Sequence, residues 1–494
     1  MEKVDVAIVG SGFSGLGMAI RLKQEGKHDF VILERDDDVG GTWNANTYPG
    51  CACDIPSHLY SFSFAPNPNW SHTYSPQPEI REYLHSCAND FGIRPHVRLR
   101  TTVTDARWVE DEGRWHVETD VGEDVSARVL ISAMGPLTEP KVPDLPGLDE
   151  FEGETWHSAR WNHDYDLDGK RVASIGTGAS AIQYVPRIQP EVEKLHVFQR
   201  TAPWIAPHNN RPIHDWERAL YRALPPLQRL VRGGVYTLRE SMILMLAKRP
   251  PAMKILERAA RLHRERQVKD PDLMRKVTPD YSMGCKRILP SNHWYPALQQ
   301  PNVELVTGGV REVRPNSVVG EDGVEREVDA IVFGTGFQVT EMPAAELITG
   351  TEGVPLSEIW AGSPRAHRGA TVPGFPNLFL LLGPNTGLGH SSMVYMVESQ
   401  IAYVLDALRT MRERRVPVAE VSATALERYN AEIDERMEGT IWNTGCVSWY
   451  QDATGRNGAI WPDWTWRFRQ ETAEFDEDAY ELRAPAPARV PVPA

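Results

Sequence analysis

Cysteine is scarce and unpaired in this sequence. Five occur in 494 residues, Cys51, Cys53, Cys87, Cys285 and Cys446, an odd number with no CxxC spacing. That usage argues against a disulfide framework and for a reducing, cytoplasmic setting. No stretch approaches the roughly 20 apolar residues of a membrane span, so no transmembrane segment is expected. The best surface-binding candidate, Ser241 to Ala247 (SMILMLA), is short and flanked by Arg239, Lys248 and Arg249, and reads as a buried helix face. Nor does the opening read as a secretory signal: Glu2, Lys3 and Asp5 surround a short apolar run that leads into glycines, as expected of a strand opening a nucleotide fold. There is no basic tail, the net charge is −14 and the pI is about 5.6. Nucleic acid is therefore not an expected partner. What remains, 41% hydrophobic and 24% charged residues, is ordinary for a globular chain long enough for about three domains.

Residues 4–22 read strand, glycine turn, helix, and FVIL at Phe30 to Leu33 reads as a second strand. Further strands are expected over Arg98 to Val117 and Arg128 to Ala133. Four prolines between Pro136 and Pro146 make a linker. The opening pattern then recurs in RVASIGTGASAIQ, Arg171 to Gln183. A helical stretch runs from about 215 to 276, and strands resume at Val303–Val306 and Ala330–Phe333. From Asn377 a strand leads into a glycine-rich turn, followed by a helix over Met396 to Arg415. The fold expected is α/β: two Rossmann-like dinucleotide-binding domains, the second inserted in the first, plus a helical segment. The boundaries are 1–140 and 336–480 for the two parts of the first domain and 141–335 for the second, which carries the helical insertion. A low-complexity, disordered tail is expected over 481–494.

A lone GxGxxG is weak evidence, but two stand here in strand–turn–helix context. They are Gly10-Ser11-Gly12-Phe13-Ser14-Gly15 and Gly176-Thr177-Gly178-Ala179-Ser180-Ala181. In such turns one glycine makes the bend, one lets backbone approach a pyrophosphate, and the helix N-terminus offers free N–H groups to the phosphates. Glu34 follows Gly10 by 24 positions and Arg200 follows Gly176 by 24. An acid at that strand end accepts hydrogen bonds from ribose hydroxyls, as the adenosine of FAD requires. A base there attracts a 2′-phosphate and selects NADPH over NADH. Each charge alone reads as an ordinary strand-end residue; the pair, at equal spacing and opposite sign, favours two nucleotide sites. Such a chain moves a hydride between NADPH and FAD. Cys51 and Cys53 form an awkward CxC, with same-side residues roughly 7 Å apart in a strand. They read as small buried thiols rather than a redox pair, which leaves O2 as the acceptor.

The residues that follow resemble the Baeyer–Villiger monooxygenases, within the class B flavin monooxygenases. The family's FxGxxxHxxxW is matched by Phe151, Gly153, His157 and Trp161, with Asn162 where the family carries Pro or Asp. GGxWxxxxYPGxxxD is matched from Gly40 through Trp43 and Tyr48-Pro49-Gly50 to Asp54. Lys286-Arg287 in YSMGCKR, and the segments Phe333–Phe337, Gly383–His390 and Ser448–Asn457, are similar to the family as well. The resemblance runs from residue 3 to about 470. It implies that Arg287 is the catalytic arginine, holding an anionic peroxyflavin and the oxyanion formed when it attacks a ketone. It implies that Asp54 positions this arginine and NADP near the flavin, and that Lys286 joins Arg200 on the 2′-phosphate. A hinge or hydrogen-bonding role suits His157. The residues expected to touch cofactor are Gly10, Gly12, Ser14, Gly15, Glu34, Thr42, Trp43, Asp54, Tyr60, Val103 and Asn385, and Gly176, Thr177, Gly178, Ala179, Ser180, Gln199, Arg200 and Lys286. Trp442, Trp449 and Tyr450 stand as either cavity walls or core aromatics, and no metal is called for. The expected reaction inserts one oxygen atom of O2 beside the carbonyl of a small ketone. Two alternatives stay open: an N- or S-oxidising flavin monooxygenase, and a flavin reductase or redox module that makes no oxygenated product.

Overall fold

A computed structural model describes residues 1–338 and 343–485. The strand Glu2–Val9 sits inside an eight-stranded sheet, hydrogen-bonded in parallel to Phe30–Leu33 on one side and Val125–Ser132 on the other. Val97–Arg98 extends one edge in parallel. Arg114–Thr119 and Val103–Val109 continue the other edge antiparallel, and Ile348–Thr349 closes it. Leu378–Leu380 returns from far along the chain to pair with Val125–Ser132. Val6 and Ile8 enter one hydrophobic core and Ala7 and Val9 another. Both faces of the strand are therefore covered, as a parallel sheet requires. The helix Phe13–Gln24 packs against Met393–Arg414 so closely that a Cβ at Gly17 would lie 3.0 Å from Ile401 Cδ1.

The second sheet is wholly parallel, in the order Val303–Thr307, Lys194–Gln199, Arg171–Ile175, Ala330–Phe333, Glu154–His157. Its five strands all fall between the segments that build the first sheet. A three-stranded antiparallel ribbon, Val310–Arg314, Ser317–Gly320 and Glu325–Glu327, accompanies it. The stretch from 215 to 276 is helical: Asp215–Ala223, Pro225–Glu240, Lys254–Gln267 and Pro271–Lys276. Pro225 and Pro271 open two of these helices, where a missing N–H costs nothing. The Asp270 carboxylate accepts from the Asp272 and Leu273 N–H groups. In SMILMLA, Ile243 and Leu246 are buried but Leu244 is 46% exposed. The segment is thus only partly the buried face expected of it. Among the described residues no helix is long and apolar enough to cross a membrane.

Two expectations are corrected. Cys285 and Cys446 form a disulfide across 161 residues, with Cα atoms 6.0 Å apart. The fold brings together two segments whose spacing carries no pairing signal. Cys51, Cys53 and Cys87 are free and buried. The tail does not begin at 481. Tyr480–Arg483 is a strand antiparallel to Val418–Val421, and Arg483 bonds the Glu110 and Glu420 carboxylates. Residues 486–494 lie outside the described residues.

Candidate active site

The two glycine turns end the leading strands of the two sheets. Gly10 has φ +98° and Gly176 φ +105°, a region that side chains avoid. A Cβ would lie 2.7 Å from the Ala133 carbonyl oxygen in the first turn and 2.4 Å from that of Gly334 in the second. The middle glycines face the other way. A Cβ on Gly12 meets nothing nearer than 3.7 Å, and on Gly178 nothing within 4 Å. Backbone N–H groups thus border open space at both helix starts, the shape a pyrophosphate needs. Ser14 and Gly15 are buried in the helix behind the first turn, whereas Gly178 and Ala179 are exposed in the second.

The strand-end charges differ more than their spacing implies. Glu34 is buried, and its carboxylate accepts from the Ser11 N–H (2.7 Å), the Ser11 hydroxyl (2.6 Å) and the Asp36 N–H (2.9 Å). Arg200 is exposed. Neither Arg200 nor Lys286 has a carboxylate within 4 Å among the described residues. Lys286 lies 4.9 Å over the Tyr281 ring, and its pKa is lowered by burial, opposed by Asp280 and assisted by the positive charge of Arg200. The two cations therefore share one neighbourhood with no bonded counter-ion, an arrangement suited to a phosphate.

Asp54 and Arg287, 233 positions apart, form a forked pair at 2.6 and 2.6 Å. Both are half-buried. The Arg287 charge holds the Asp54 carboxyl below its usual value against the pull of burial, and Asp54 raises Arg287 in turn. The pair is ionised at any working pH. It lines a cavity of about 180 Å³ with Ile55, Pro207, Met283 and His390. The helical stretch adds Met242, Leu256, Ala259, Ala260 and Arg239. Arg239 was not foreseen: it donates to the Asp54 carbonyl oxygen (3.2 Å) and the Tyr74 hydroxyl (3.1 Å). No local motif marks it. Gln183, in the helix that follows the second glycine turn, bridges the two sheets' domains: it accepts from the Tyr48 hydroxyl (2.9 Å) and donates to the Ala52 carbonyl (3.0 Å).

Other expected residues are placed as follows. Trp43, in the short helix Thr42–Ala45, donates its indole N–H to the Tyr60 hydroxyl at 3.1 Å. Val103 is buried at the start of its strand. Thr177 is buried, with Ser180 beside it. Gln199 is buried and donates to the Lys276 carbonyl (2.7 Å), tying the helical stretch to the second sheet. Asn385 is buried among loops. Its amide donates to the Asn457 and Ile460 carbonyls and accepts from Arg456, and its own N–H donates to Gly458. These bonds make it a tie between loops. His157 accepts from the Ala159 N–H and burial pushes it down to about 4, so it stays neutral. Trp442 and Tyr450 are core aromatics and Trp449 is half exposed; none of the three borders the cavity.

Two dinucleotide turns of opposite strand-end charge, together with a cavity walled by a fixed arginine, define a flavin- and nicotinamide-dependent oxidoreductase. A flavin-binding monooxygenase-like family profile matches residues 3–223. The chain is 52% identical over 491 residues to a Baeyer–Villiger monooxygenase of Streptomyces coelicolor, covering 99% of this chain and 94% of that one. It is 51% identical to one of Pseudomonas aeruginosa, covering 97% and 91%. Its fold is similar to cyclohexanone monooxygenase from Rhodococcus sp. Phi1 bound to NADP+, with a TM-score of 0.87 and 31% identity over 98% of this chain and 99% of that one. A steroid monooxygenase bound to NADP gives a TM-score of 0.87 at 32% identity, covering 98% of this chain and 100% of that one. The chain belongs to the Baeyer–Villiger monooxygenase family, and is an FAD- and NADPH-dependent monooxygenase.

Proposed function

We propose that this chain converts a small ketone, O2, NADPH and a proton into an ester or lactone, NADP+ and water, with Arg287 and Asp54 at the centre. The observation that carries this reading is the ionised Arg287–Asp54 fork on the cavity wall. FAD, once reduced by NADPH, supplies the activated oxygen. The protein's part is electrostatic. Arg287 cannot release its proton, so it stabilises negative charge developing on oxygen without quenching it. Asp54 fixes the guanidinium plane through two bonds, and Arg239 steadies the Asp54 backbone from the other side. The mostly apolar lining keeps water from the reacting atoms.

Gly10, Gly12, Ser14, Gly15, Glu34, Thr42, Trp43, Tyr60 and Val103 are assigned to FAD. Gly176, Thr177, Gly178, Ala179, Ser180, Arg200 and Lys286 are assigned to NADPH. The domains divide at about residues 140 and 335. Dependence on NADPH points to the cytoplasm, where that reductant is regenerated.

Arg287→Ala tests the reading. The variant retains its FAD absorbance, and ester formation from a ketone panel falls on the order of 10²-fold or more, the scale of losing a charged transition-state partner. Full ketone oxidation by the variant would remove Arg287 from the mechanism.

A further inference from the structure

The helical stretch carries a charge unlike the rest of the chain. Residues 215–276 hold fifteen Lys and Arg against seven Asp and Glu, a net +8, while the other 432 residues hold −22. The cations are not consumed by internal pairing. Arg222, Arg229, Arg249, Lys254, Arg258 and Arg266 have no carboxylate within 4 Å among the described residues.

Large apolar side chains stand among them. On the helix Pro225–Glu240, after its opening prolines, the exposed positions recur at helical spacing: 229, 230, 233, 234, 237 and 238. They read Arg, Leu, Gly, Gly, Thr and Leu: the outward face of this helix carries one charge, the cation Arg229, among uncharged residues, where a normal surface helix is mostly polar and charged. Leu230 and Leu238 are each 71% exposed, and Ile255 at the start of the next helix is also 71% exposed. A single surface leucine needs no explanation. Several, on two successive helices inside the basic segment, mark an interaction surface. Both helices also border the active-site cavity, one through Arg239 with Met242 just beyond its end, the other through Leu256, Ala259 and Ala260; Ala259 is itself exposed, which places the mouth on this surface.

We propose that these two helices lie on an anionic lipid surface, which apolar ketones leave to enter the cavity. Cations flanking exposed aliphatic side chains match a layer of acidic headgroups over an acyl interior. A nucleic acid offers the phosphates but nothing for Leu230 and Leu238. A second copy would set +8 against +8. The surface is peripheral: the helices lie on the bilayer and none spans it.

The test is co-sedimentation of the FAD-loaded enzyme with vesicles of phosphatidylcholine alone and of phosphatidylcholine with phosphatidylglycerol. Binding is expected only to the second and is lost in high salt. Leu230→Glu with Leu238→Glu, and separately Lys254→Glu with Arg258→Glu, lower the partition by on the order of tenfold or more, while flavin content and NADPH consumption are retained. Absence of binding to acidic vesicles overturns the proposal, as does binding that the leucine variants leave unchanged. A concentration-dependent dimer, seen by sedimentation velocity and abolished by the leucine variants, also overturns it by assigning the face to a second copy. The readout is partition, so it stands apart from ketone oxidation.

Discussion

The two glycine turns share a backbone and differ in readiness. The acid of the first, Glu34, is buried and already holds the Ser11 N–H, the Ser11 hydroxyl and the Asp36 N–H. The base of the second, Arg200, is exposed, and its nearest assistant, Lys286, is another cation. One site is organised by the protein itself; the other, on the proposed assignment, is completed by its ligand. That suits their tasks. A flavin stays bound through every turnover, whereas a nicotinamide cofactor must arrive and leave. Burial and internal hydrogen bonds favour permanence, and exposed unpaired cations favour rapid, charge-steered exchange.

The strongest way to break the comparison is Glu34→Ala. If Glu34 is part of the framework as well as a ligand, its loss strands the buried Ser11 donors. Thermal or denaturant unfolding of the apoprotein should show a loss of about 2–4 kcal/mol, and purified variant should lack the flavin spectrum. A variant of undiminished stability that merely binds FAD weakly would show that the first site is no more built-in than the second.

Arg200→Glu is next in size, and places the first site's acid at the second site's position. The apoprotein's stability should hardly move, because Arg200 is exposed. The KM for NADPH should rise on the order of 10²-fold, the scale of replacing a charge-assisted bond with repulsion, while the KM for NADH changes far less. Equal effects on both cofactors would end the assignment of the 2′-phosphate to Arg200.

These predictions rest on features legible at short range. Each glycine turn, its strand and the charge 24 positions on lie within one βαβ unit, so local periodicity and spacing reveal them. The long-range pairs are different. Asp54 and Arg287 stand 233 apart and became visible only through the family resemblance; no spacing rule joins them. Cys285 and Cys446 had no such guide, and the odd cysteine count pointed away from a bond. The strand Tyr480–Arg483 hid because its partner, Val418–Val421, lies beyond three helices and their loops, and proline-rich sequence follows it. Asn385 has a family-like context, yet its bonds to Asn457, Ile460 and Gly458 exist only in three dimensions. Arg239 sits in a stretch whose helices were foreseen and whose inward side was not. Motif and period reveal elements and turns; which side chains meet across elements depends on the packing.

The smallest effect, and the sharpest test of the ligand-completed site, concerns Lys286. Its pKa is lowered chiefly by burial, with Asp280 opposing and Arg200 adding to the fall. In the free enzyme it therefore loses its proton at a lower pH than an ordinary lysine. A bound 2′-phosphate favours the charged form and draws the pKa back up. Linkage then fixes the sign: NADPH binding takes up a proton wherever free Lys286 is neutral, so the KM for NADPH rises with pH above the depressed value. NADH, without the phosphate, should show no such rise. Lys286→Arg keeps its charge throughout and should flatten the alkaline limb, whereas Lys286→Ala should raise the KM for NADPH about tenfold at neutral pH, the scale of one charge-assisted contact. A wild-type alkaline limb that Lys286→Arg leaves intact would place the titrating group elsewhere, and the second site would then owe its phosphate selection to Arg200 alone.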